Sequence, residues 1–143
     1  MADVTLLDGG MGQELVARSG DAPTPLWATQ VMIDHPGLVR DVHADYFAAG
    51  STVATTNTYA IHHDRLVKFD IDNRFAALHA QAMSEAAEAR AAHGSGRIAG
   101  SLGPLGASYR ADVLPEHRKA VALYEEVARH IGPKSDFLIA ETV

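Results

Sequence analysis

Two acidic residues stand near opposite ends of this sequence, each directly after a short apolar run: Asp8 after residues 4–7 and Glu141 after residues 137–140. Two more runs of the same kind, residues 52–56 and 97–101, lead into Asn57-Thr58-Tyr59 and Leu102-Gly103-Pro104. If the four runs are parallel strands, both acids lie at the carboxyl end of the sheet, where small-molecule sites gather. Two carboxylates facing one pocket suit general acid/base work, a hard cation, or the ammonium group of an amino acid. A structural pair of roles stands beside these: Asp8 capping the next helix, and Glu141 paired with a neighbouring Lys or Arg.

The segments between the acids add polar groups at the same end. Gly9, Gly10 and Gly12 let backbone approach a ligand and expose N–H groups at a helix start. Their spacing matches neither G-x-G-x-x-G nor a P-loop, so taken alone the loop reads first as a tight strand-to-helix turn. Thr55, Thr56, Asn57 and Thr58 cluster hydrogen-bonding side chains at one strand end. Threonine is also a good strand former, whereas Asn57 is disfavoured in a strand and points to a turn or a ligand. Gly100-Ser101-Leu102-Gly103-Pro104-Leu105-Gly106 reads as a strand end and a rigid turn. His62-His63-Asp64 invites a metal reading, but neighbouring residues point different ways and no third ligand sits at a supporting interval. The other histidines (His35, His43, His79, His93, His117 and His130) read as packing or surface residues, and Trp27 as a core or loop anchor. No Ser-His-Asp arrangement has a nucleophile elbow.

Helices must position these strand ends. Asp34 is a candidate cap with Pro36 in the first turn, followed by Leu38, Val42 and Tyr46 and closed by Gly50. A second helix is expected from Asp72 to just before Gly94, with Phe75, Leu78, His79, Ala82, Met83 and Ala86 on one face. A third starts at Pro115, carries Val121, Tyr124, Ala128 and Ile131, and stops at Gly132-Pro133. Shorter helical stretches are expected over 11–18 and 26–32. The order is β-α-β-α-β-α-β, which means parallel strands joined by right-handed crossovers. An open doubly wound sheet and part of a (β/α)8 barrel both fit. A whole barrel needs about 250 residues, so 143 residues hold about half of one.

Composition narrows the function classes. Twelve basic against 18 acidic residues give a net charge of −6, and no Lys/Arg face is evident, which argues against nucleic acid or anionic lipid as partner. No apolar run approaches the ~18 residues of a membrane span, and Met1-Ala2-Asp3 does not open a signal peptide. A soluble, cytoplasmic, small-molecule protein is expected. The sequence has no cysteine, which removes disulfides, thiol nucleophiles and thiolate-bound metal from these residues.

Taken in order, the segments resemble the homocysteine S-methyltransferase family. The resemblance is carried by Leu6-Leu7-Asp8-Gly9-Gly10-Met11-Gly12-Gln13-Glu14-Leu15, by His35-Pro36, Val42-His43, Asp45-Tyr46 and Ala49-Gly50-Ser51, by Thr55-Thr56-Asn57-Thr58-Tyr59, by the 100–106 turn, and by Ala140-Glu141-Thr142. It implies a (β/α)8 TIM barrel of which residues 1–143 are the first four βα units, an N-terminal half-barrel. It implies methyl transfer from a small donor to the homocysteine thiol, giving methionine. It places Asp8 and Glu141 on the homocysteine amino group, backbone at Gly9 and Gly10 beside them, and Thr56 and Asn57 on the same pocket. The family's zinc is held by three cysteines of the second half, so no Zn2+ is expected on this chain alone and the 143 residues are expected to be inactive by themselves. A homodimer, or association with a C-terminal half, is expected to cover the open edges. A non-catalytic amino-acid-binding or partner-binding half-barrel, or one half of a split enzyme, is the alternative.

Overall fold

The computed structural model describes residues 4–143; the Met1-Ala2-Asp3 start lies outside them. Three parallel strands, β1 (Val53–Thr55), β2 (Arg97–Leu102) and β3 (Phe137–Ala140), form one sheet in sequence order. Thr55 pairs with Ala99, Ala99 with Phe137, and Leu102 with Ala140. Among the described residues six α-helices accompany them: α1 (Met11–Ser19), α2 (Ala28–Asp34), α3 (Leu38–Ala48), α4 (His63–Leu66), α5 (Phe75–His93) and α6 (His117–Ile131). The βαβ order is what parallel pairing requires, because each return to the start of the next strand needs a crossover.

The core lies between the sheet and the helices. Leu15, Met32, Val39, Val42, Leu66, Leu78, Met83, Ile98 and Ile131 are all essentially buried within it. α5 lies along α3, and its small buried residues Ala82, Ala86 and Ala89 permit that close approach. Buried Glu85 of α5 accepts hydrogen bonds from the backbone N–H groups of Gly37 (3.2 Å) and Arg40 (3.0 Å). The N-terminus of α3 is therefore capped by a carboxylate from another helix, which also complements its dipole. This corrects the expectation for Asp34, which closes α2 instead; Gly37, in the left-handed region at φ 93°, begins α3. The buried face of α3 is Val39, Val42, His43 and Phe47, with Leu38 and Tyr46 only half-buried. The helix expected from Asp72 begins as a 3-10 turn and becomes regular at Phe75, and the one expected from Pro115 begins at His117.

The expected first strand, residues 4–7, is not part of the sheet. The Leu6 carbonyl ties it to the residue before β1, accepting from the Thr52 N–H at 3.0 Å and the Thr52 hydroxyl at 3.2 Å. The reason lies on the facing edge of β1. The Ser51 hydroxyl donates to Val53 O (2.6 Å) and accepts from Val53 N–H (3.2 Å), while the Thr55 N–H is taken by the Asp8 side chain (2.6 Å). Side chains occupy the edge groups that a backbone ladder would use. Val4, Leu6 and Leu7 are exposed at 90%, 57% and 47%, so no burial fixes the segment as a strand. Among the described residues the sheet has three strands, where four were expected.

Candidate functional site

The carboxyl ends of the strands gather the polar residues, and the hydrogen bonds there form two groups. The first centres on Asp8. Its Oδ2 accepts from the Thr55 N–H and its Oδ1 from the Thr55 hydroxyl, both at 2.6 Å, and its side chain is 3% exposed. Burial pushes the Asp8 carboxyl above its usual range, and the two Thr55 donors pull it partly back. On the other flank stands His43 of α3, fully buried, with Nδ1 3.9 Å from Asp8 Oδ2. Burial lowers the His43 imidazole to about 4, so it is neutral at pH 7. The next residues turn against the same helix. The Tyr46 hydroxyl donates to Gly10 O at 3.2 Å, and a Cβ at Gly9 would stand 2.7 Å from the Tyr46 ring. Only glycine at position 9 lets this turn lie against Tyr46.

The second group runs across β1, β2 and β3. The Thr56 hydroxyl donates to that of Thr58 (2.9 Å), which donates to Ser101 O (2.7 Å); the Ser101 N–H returns to Thr56 Oγ1 (3.1 Å). The direction is set by Thr58, whose one proton goes to the carbonyl. Ser101, itself fully buried, donates its hydroxyl to Glu141 Oε2 at 2.6 Å. Among the described residues the other oxygen, Oε1, has no hydrogen-bond partner, and the residue is half-buried. Asn57 is directed elsewhere: its Nδ2 donates to Ala28 O (3.2 Å) and meets Met32 Sδ (3.7 Å), tying the end of β1 to α2. Thus Asp8, Gly9, Gly10 and Glu141 stand at the carboxyl end of the sheet, whereas the Thr56 hydroxyl and the Asn57 amide nitrogen are engaged within the protein. Gly103 follows β2, where a Cβ would overlap the Tyr59 carbonyl.

The His62-His63-Asp64 side chains diverge. His62 is buried and meets the edge of Tyr124; His63 stacks on Phe75 and pairs with Asp72 and Glu126; Asp64 accepts from the Gly106 N–H at 2.5 Å. Trp27 is 43% exposed and lies against α1, where a Cβ on Gly12 would stand 2.6 Å from its Nε1.

A family model described as homocysteine S-methyltransferase matches residues 5–143. The chain belongs to the homocysteine S-methyltransferase family. It is 36% identical over 118 residues to the homocysteine S-methyltransferase of Escherichia coli K12, a match covering 77% of this chain and 38% of that protein. It is 41% identical over 54 residues to homocysteine S-methyltransferase 3 of Zea mays, covering 38% of this chain and 16% of that protein. The crystal structure of the E. coli homocysteine methyltransferase MmuM in its metallated form superposes with a TM-score of 0.87 at 30% identity, over 99% of this chain and 55% of that one. The chain thus spans about two fifths of the E. coli relative it matches in sequence and about half of the solved one, and its α/β fold with a parallel sheet matches part of that enzyme.

Family membership raises the question of zinc, which is answered by the donors present. The sequence offers no thiolate. Among the described residues no three His, Cys, Asp or Glu side chains converge as a metal site, and the oxygens of Asp8 are engaged by Thr55. These residues do not fit a thiolate zinc centre, and no chemical step on this chain runs through one.

Sequence reasoning did not single out Ser101, Thr55 or His43 as site residues. Each carried a signal: a serine after the apolar Ile98-Ala99-Gly100 of β2, a threonine at the strand end two residues before Asn57, and a histidine on the apolar face of α3. Their partners are 40 and 47 residues away for Ser101 and Thr55, so only the fold reveals them.

Proposed function

We propose that residues 1–143 are the amino-acid-binding half of a homocysteine S-methyltransferase barrel, active in the cytoplasm, with homocysteine as the ligand of the strand-end face. The observation that carries this reading is Glu141: an acid held at one oxygen by a buried serine, its other oxygen without a partner among the described residues, at the strand-end position that the family resemblance gives to the substrate ammonium. An ammonium donates to Oε1 in a charge-assisted hydrogen bond. The Gly9-Gly10 turn contributes N–H groups at the start of α1 toward the substrate carboxylate. Buried Asp8 fixes that turn and adds negative charge behind the ammonium. Thr56 and Asn57 support the pocket wall from behind.

In the whole enzyme, the homocysteine sulfur attacks the methyl carbon of a small donor. A new S–CH3 bond forms as the donor's bond to that methyl breaks, and the thiol proton is lost. This chain binds and orients the amino acid for that step; the zinc-holding thiolates belong to the half of the barrel outside it. Exposed Leu6, Leu7 and Leu138 are covered by that half or by a second copy of the chain.

The test is calorimetry of the chain with L-homocysteine and with 4-mercaptobutanoate, which lacks the amino group. Binding of the first with at least tenfold preference is expected. Equal affinity for both, or none for either, overturns the reading.

A further inference from the structure

Helix α3 holds the Asp8-Gly9-Gly10 turn at two points three residues apart, which places them on one helix face. Tyr46 reaches the Gly10 carbonyl, and His43 stands against the Asp8 carboxylate. The first is an ordinary hydrogen bond. The second is unusual, because His43 is fully buried and neither ring nitrogen has a hydrogen-bond partner among the described residues. An imidazole buried in that way gives up its bonds to water with no direct replacement, a cost that an apolar side chain on the Val39–Val42–Phe47 face would not carry. Asp8 Oδ2 stands 3.9 Å from Nδ1.

We propose that His43 is a positioning residue for this site: it carries its ring proton on Nδ1, directed at Asp8 Oδ2, and so keeps the Asp8 carboxylate and the turn after it in the place from which an amino-acid ligand is held. The inference rests on the amino-acid-binding reading above and assigns a residue to it. The neutral ring has one proton to place. On Nε2 it would leave the Nδ1 lone pair facing a carboxylate in a dry interior, like against like. On Nδ1 the N–H dipole points at the anion, where low dielectric strengthens the attraction. At 3.9 Å it acts without occupying a lone pair of Oδ2. Thr55 then supplies the two direct donors and His43 a third, oriented dipole, so the buried carboxylate is surrounded by positive ends.

Histidine 15N–1H NMR on the full chain without ligand reads the tautomer directly. The Nδ1–H form is expected for His43, with its ring signals displaced in Asp8→Asn; an Nε2–H form, or signals unmoved in Asp8→Asn, overturns the proposal. Calorimetry with L-homocysteine supplies the second arm. His43→Leu is expected to weaken binding about tenfold, and His43→Asn, whose amide N–H stands in for Nδ1–H, to return within about threefold of the parent. Equal losses in the two variants, with far-UV circular dichroism unchanged, reduce His43 to packing and overturn the proposal. A parent chain that binds no L-homocysteine overturns the amino-acid-binding reading instead, and the tautomer still decides whether His43 serves Asp8.

Discussion

At one corner of the strand-end face, both Asp8 oxygens are taken by Thr55 and the side chain is 3% exposed; at the other, Ser101 takes one oxygen of Glu141 and the second has no partner among the described residues. The two acids look equivalent in the sequence, each following an apolar run. Their surroundings divide the work between them. A carboxylate enclosed by donors shapes the backbone around it, whereas a carboxylate with one free oxygen is able to meet a cation. In the proposed ammonium site, Asp8 is the frame acid and Glu141 the contact acid.

The largest effect tests the enclosed corner through pH. His43, His62 and His79 are buried, and burial lowers each from 6.5 to about 4. Above pH 6.5 all three are neutral whether folded or unfolded, and nothing is lost. As pH falls from 6.5 toward 4, the unfolded chain binds protons that the folded chain refuses, so stability falls by roughly 3 kcal/mol per histidine when complete. Asp8 opposes this with a smaller change, since a carboxyl raised above 3.8 makes the fold gain stability as pH drops through its folded value. Urea unfolding at pH 7 and pH 4.5 is expected to differ by several kcal/mol. In His43→Asn the difference shrinks by about one histidine's share; an unchanged difference breaks the picture of a dry Asp8 corner.

Direct substitution comes next. Asp8→Ala leaves the Thr55 N–H and hydroxyl without their acceptor in a buried place and is expected to cost about 3 kcal/mol. Glu141→Ala removes a half-exposed side chain whose one donor reorients easily, and is expected to cost under about 1 kcal/mol. Urea midpoints at pH 7 measure both. Equal losses would erase the distinction between frame and contact. In binding, Glu141→Gln is expected to weaken L-homocysteine about tenfold, by removing the charge that faces the ammonium.

How much of this was legible beforehand follows the same division. β1 and β2 and the helices α1, α5 and α6 were readable because apolar periodicity and glycine punctuation are local. The strand at residues 4–7 was not, because its apolar composition says nothing about whether the edge it must join is free. Ser51 and Asp8 close that edge, and one of those bonds spans 47 residues. Asp34 misled for a related reason: it has the chemistry of a cap, but the cap of α3 comes from Glu85. Glu141 does follow a strand, β3, whereas Asp8 follows a segment outside the sheet and meets the end of β1 only through Thr55. Their different burial depended on Thr55 and Ser101, whose partners no local pattern discloses.

The smallest effect separates support from contact at the open corner. Ser101→Ala removes the hydroxyl that donates to Glu141 Oε2 and nothing else of consequence, since the Ser101 N–H and C=O keep their bonds to Thr56 and Thr58. Alanine fits the same buried space, so a stability change below about 1 kcal/mol is expected. Glu141 keeps its charge but loses its orientation, and water replaces the lost donor. Binding then has to order the side chain, which weakens L-homocysteine by about threefold, less than Glu141→Gln. A loss as large as that of Glu141→Gln would place the Ser101 hydroxyl on the ligand itself. No loss at all would mean that Glu141 needs no holding, and the open corner would then owe its geometry to the backbone of β3 alone.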